Sequence, residues 1–273
     1  MPASTATPRP GIPSPAGRGL LRLDREPILG IPRSAFHVAV GAPLALLLAW
    51  APILRYAGWF MGALVHELGH TVAALYVGCL ALPAISLAGH AAAFHAGQKK
   101  AAALLIWAGL AGLAVWSRRD RRALAVFAVL AATYPVLAFT GFRDVFHLVA
   151  GHLGELVFAA VFFWRALVGG FVHQEGERPL YAMLGWFWMG GNAFLFSSLT
   201  ASEASRQWYR AHGSFGLQND FVRLAGIWGV PLETVTAPMI LVSCLPLPAA
   251  LLMFWFVRRE EKKSIAGEGR TVA

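Results

Sequence analysis

His66-Glu67-Leu68-Gly69-His70 is the stretch of this chain best equipped for chemistry. The HExxH order sets two imidazoles one helical turn apart on one face, with a carboxylate beside them. That pattern supplies two ligands for a zinc ion and a general base for water, the needs of a metal-assisted hydrolase. A polar knot between helices, the structural use of the same residue types, would not require the H-E-x-x-H order. The motif lies in an apolar run from Tyr56 to Val77. Ionisable groups at bilayer depth are expensive, so by default they point to function. Gly62, Ala63, Gly69, Ala73 and Ala74 permit close approach of another helix, while Leu64, Val65, Leu68, Val72 and Leu75 suit a lipid or bundle face.

Two histidines do not complete a catalytic zinc site, and a third protein ligand is expected. His152 and Glu155 are three residues apart, hence on one helical face, and open the apolar run Leu156–Leu167. A carboxylate completes a His-His-acid set, so Glu155 is placed ahead of His152. Asp144, His147 and Asp220 are the other candidates. The alternative use of Glu155 or His152 is to accept from the N–H of a metal-bound imidazole; that of Asp220 is to cap a loop helix. His90 and His95 read as polar groups serving irregular backbone. Asn192 reads as an interhelical hydrogen bond or a holder of substrate or water.

The elements that must position these groups belong to a membrane protein. Of 273 residues 57% are hydrophobic and 14% charged, with mean hydropathy +0.57. This composition predicts an all-α, polytopic bundle of about six or seven spans. Apolar runs fall at 36–54, 56–77, 101–116, 123–140, 145–172, 180–199 and 235–257. Residues 78–98, apolar but broken by Gly78, Pro83, Gly89 and Gly97, predict a re-entrant loop or hairpin after the HExxH helix. Residues 200–234 predict an interfacial loop with a short helix. The organisation is then a disordered Pro/Arg-rich tail (1–35), a transmembrane domain (36–257) and a charged disordered tail (258–273).

No cleavable signal peptide is evident, and the expected home is the cell (inner) membrane. Cys79 and Cys244 fit neither a disulfide framework nor a thiolate zinc site. The net charge of +9 is assigned to loops beside lipid headgroups, and nucleic acid is excluded as a partner.

Four spans separate Ser117–Arg122 from the basic cluster at Arg258–Lys263, so these charges share one side of the membrane. The HExxH span then ends on the opposite side. His70 lies about 10 Å and Glu155 about 16 Å below that surface, at 1.5 Å per residue. The loop carrying Asp220 lies on the same side as this opening.

At these residues the chain resembles the site-2 protease family of intramembrane zinc metalloproteases. The resemblance rests on His66–His70 within a span, the stretch after it and the polar motif Gly151–Glu155, over roughly residues 36–172. It implies that His66 and His70 bind zinc and that Glu67 activates water to cut a membrane-protein substrate. It also implies that an irregular edge at 78–98 pairs with the unwound substrate. The family's third ligand is an aspartate in an Asp-Gly motif heading a later helix. This sequence holds no Asp-Gly dipeptide, and Gly151-His152-Leu153-Gly154-Glu155 stands in that place.

Two rival readings remain at this level. A membrane di-iron oxygenase would use His66/His70, His90/His95 and His147/His152 as spaced pairs, although adjacent His-His pairs are absent. A non-enzymatic membrane adaptor would carry the motif as a relic.

Overall fold

The computed structural model describes residues 27–86, 90–169, 172–213 and 217–271. Helices α1 (Arg33–Trp50) and α2 (Pro52–Tyr76) are separated by Ala51, and Pro52 opens α2 where its missing N–H costs nothing. A hairpin follows, β1 (Ala81–Ser86) antiparallel to β2 (His90–His95), with Ala81 opposite His95. The hairpin alternative for 78–98 is thus the one adopted, and it packs against α2.

Helix α3 (Lys100–Trp116) ends in a 3-10 turn, Ser117–Arg119. Asp120 then caps α4 (Arg121–Phe139), accepting from the Arg122 and Ala123 amides at 2.9 and 3.2 Å. Helix α5 (Phe142–Val168) stops at Gly169, whose φ of +66° few other residues tolerate. Helix α6 (Glu177–Ala201) returns along it.

The polar segment expected as an interfacial loop with a short helix holds two, α7 (Glu203–Ala211) and α8 (Asp220–Trp228). The last apolar run is broken at Cys244–Leu245 into α9 (Leu232–Ser243) and α10 (Pro246–Thr271), because Pro246 and Pro248 cannot donate to a continuing helix. Helix α10 takes in the charged segment from Arg258, whose Arg, Glu and Lys are strong helix formers. Of the tail expected over 1–35, residues 1–26 lie outside the described residues and Arg33 already belongs to α1. Residues 272–273 of the expected C-terminal tail also lie outside them.

Among the described residues five stretches are long and apolar enough to cross a membrane: Arg33–Trp50, Lys100–Arg119, Arg121–Phe139, Phe142–Val168 and the broken helix Leu232–Glu260. Helices α2 and α6, of 25 residues each, are long enough at about 37 Å but less apolar. Arg122 Nη2 lies 3.8 Å from Glu260 Oε1, so the two charged clusters meet at one end of the bundle. Helix α5 is central and packs against α2, α6 and α10.

Candidate metal centre

The crossing of α2 and α5 depends on glycine. A Cβ at Gly154 would fall 2.9 Å from the Cα of Gly69, and one at Gly69 would run into the Ala150 carbonyl. One turn away, a Cβ at Gly151 would lie 2.5 Å from the Nε2 atoms of both His66 and His70. Glycines of the second polar motif therefore form the floor beneath the first motif's imidazoles.

The histidines are held by their outer nitrogens. His70 Nδ1 donates to the His147 carbonyl at 2.8 Å, and His66 Nδ1 lies 3.3 Å from Glu155 Oε1. Each contact turns Nε2 inward, the arrangement in which a ligating imidazole is oriented by its other nitrogen. The two Nε2 atoms are 3.1 Å apart.

Asp220 completes the convergence. Its Oδ2 lies 3.2 Å from His66 Nε2 and 3.0 Å from His70 Nε2. Phe221, Leu224 and Ala225 bury one face of α8 against Leu148, Phe196 and Leu232, which draws the start of α8 into the bundle. Asn219 anchors the entry by donating to the carbonyls of Tyr209 and His212, at the end of α7. Burial opposes the charged form of the Asp220 carboxyl, but His66 and His70 more than offset it and hold its pKa below the ordinary carboxylate value.

A four-coordinate ion with bonds of about 2.0–2.1 Å keeps its ligand atoms about 3.3 Å apart. The three atoms of His66, His70 and Asp220, at 3.0–3.2 Å from one another, suit such an ion and could hold a metal.

His66, His152 and Glu155 form a second metal-capable group, which leaves His70 out. Glu155, placed first from sequence as third ligand, meets His66 at the outer Nδ1 rather than at Nε2. Its Oε2 lies 3.3 Å from His152 Nδ1 and accepts from Asn192 Nδ2. Asn192 Oδ1 is 2.8 Å from His152 Nδ1, so Asn192, His152 and Glu155 brace one another behind His66. Asp144 stands apart, exposed and paired with Arg143 at 3.2 Å. His147 contributes its carbonyl, and its ring is 5.0 Å from that of His70.

His66, His70, His147, His152, Glu155 and Asp220 border one cavity of about 640 Å³. Glu67 is buried against it, and its carboxylate makes no hydrogen bond to a described residue, so it is free to engage a small molecule. Ala91–His95 of β2 form part of another wall.

Asp220 is the residue that spacing alone could not rank. The available signal was the apolar i, i+3, i+4 pattern of Phe221, Leu224 and Ala225, which marks a buried face whose next turn begins at Asp220. Compared with protein-family models, with curated proteins and with solved structures, the chain matches none.

Proposed function

We propose that the chain is an intramembrane zinc metalloprotease, akin to the site-2 proteases. It would hydrolyse a peptide bond in or near a transmembrane segment of a membrane-protein substrate. His66, His70 and Asp220 hold the zinc in this reading, and Glu67 is the general base. The observation that carries it is the meeting of two inward Nε2 atoms and one carboxylate oxygen, 3.0–3.2 Å apart, in a cavity that Glu67 also lines.

Two imidazoles and a carboxylate are a donor set that zinc accepts in catalytic sites, with a position left for water. When bound, zinc polarises the scissile carbonyl and makes its water a stronger nucleophile near neutral pH. Glu67 takes the proton from the attacking water and delivers it to the leaving amine. Glu155 accepts from His66 Nδ1–H and keeps Nε2 aimed inward. A helical substrate shields its own carbonyls and must unwind to be cut. Among the described residues β2 pairs with β1 alone, so its other edge can take an unwound strand by β-augmentation.

The test joins metal content to cleavage. The purified chain is expected to carry about one zinc, and Glu67→Gln to keep it while lowering turnover about 100-fold or more. Membrane proteins that accumulate uncleaved in a Glu67→Gln strain are the candidate substrates. Two irons per chain, or full turnover by Glu67→Gln, would overturn the reading in favour of oxidation or of an unrelated activity.

A further inference from the structure

We propose that His147 is a further catalytic residue. Its Nε2–H donates a hydrogen bond to the scissile carbonyl oxygen as that oxygen gains negative charge. The assignment rests on the protease reading above.

His147 precedes Gly151 by one turn of α5, and its ring lies beside that of His70, with centroids 5.0 Å apart. Its backbone carbonyl, not its side chain, accepts from His70 Nδ1. The side chain is therefore not needed to orient His70. From the hairpin, the ring of His95 packs edge-on against it at 4.5 Å and steadies its plane.

The imidazole itself makes no hydrogen bond to any described residue, and its Nδ1 is buried without a partner. A buried N–H left orphaned is rarer than an under-used acceptor. The neutral ring therefore carries its proton on Nε2, the nitrogen left to serve the cavity that His147 lines. The result is a fixed donor beside the reaction centre with no described residue to donate to.

Such a donor has a use at one moment of peptide hydrolysis. As the water oxygen bonds to the carbonyl carbon, the π pair moves onto the carbonyl oxygen. His147 keeps its proton throughout and stabilises that oxygen by hydrogen bonding. When the pair returns, the C–N bond breaks and the amine leaves with the proton held by Glu67. Arg223 also borders the cavity, but it is exposed at the rim on α8, where water screens its charge.

The experiment uses the full chain in detergent micelles and compares wild type with His147→Leu and His147→Gln. Cleavage of a set of labelled Leu/Ala-based transmembrane peptides gives kcat and KM. Zinc content and the affinity of a phosphinic peptide, whose tetrahedral oxyanion imitates the reacting centre, are measured alongside. His147→Leu is expected to keep its zinc and hold KM within about twofold. Its kcat should fall about 100-fold, with phosphinate binding weakened to match. His147→Gln, which restores an N–H donor, should recover about tenfold of that loss.

An active wild type with unchanged kcat in His147→Leu would overturn the assignment and leave the protease reading standing. So would loss of zinc in step with activity, which would give the ring a structural role. A wild type that holds zinc yet cleaves none of the peptides would overturn the protease reading. In that case phosphinate binding unaffected by His147→Leu would remove the donor role as well.

Discussion

Helices α3 and α4 make an instructive contrast with α2 and α5. The first pair has no Asp, Glu, Lys, Arg or His over residues 101–116 and 123–139, and only 6% and 11% of their spans are buried, against 33% for α5. Leu105, Val115, Val126 and Val129 all lie more than half exposed. Helices α2 and α5 carry the histidines, the glutamates and the glycines of close approach, and they meet each other over much of their length. The ionisable side chains of the site lie inside this bundle, while α3 and α4 turn aliphatic side chains outward. That follows from a solvent of lipid tails, which accepts Leu and Val as readily as a protein interior does but rejects charge and backbone. Glycine shows the rule most clearly. Gly109 and Gly112 on α3 face nothing within 4 Å, whereas Gly69, Gly151 and Gly154 have no room for a Cβ.

The contrast breaks most visibly at the metal. Asp220→Ala should empty the site as fully as His70→Ala does, while the exposed Asp144→Ala keeps its zinc. Elemental analysis of the three purified variants checks this, and zinc retained by Asp220→Ala would return the third ligand to Glu155 or His152.

A smaller but sharper comparison pairs two glycines. Gly151→Ala forces a methyl against both imidazoles, so zinc affinity should fall at least about tenfold and stability by about 1–3 kcal/mol. Gly112→Ala should leave zinc untouched and gain up to about 1 kcal/mol from helix propensity. Chelator competition and thermal unfolding read both. The third variant, Glu155→Gln, keeps an acceptor for His66 but loses its charge. Zinc should remain bound, weakened about 10–100-fold. An empty Glu155→Gln site would make the carboxylate a ligand.

The difference between these regions also explains what could be read from sequence. Apolar runs and the breaks between them are local, so the helices and the hairpin at 81–95 fall close to where the runs place them. HExxH is local too, since its geometry is a property of one helical turn. The position of the carboxylate that meets both Nε2 atoms is not. From sequence Glu155 stands ahead of Asp220 because it shares a face with His152 and opens an apolar helix. Which nitrogen of His66 it meets is set by how α2 and α5 rotate at Gly69 and Gly154, and no single segment encodes that rotation. The burial of α8 depended on partners from α5, α6 and α9, which the sequence of α8 does not name.

The separation of the three converging side chains along the chain also orders events during synthesis. Asp220 lies 150 residues after His70. At about 5–20 residues per second the ribosome needs roughly eight to thirty seconds to cover that distance. In that interval the hairpin and α3 to α7 are made, with both imidazoles already in the chain and no α8 to meet them. A nascent chain therefore has an incomplete centre, which closes only after six of the helices and the hairpin that precede α8 have followed or accompanied the first motif.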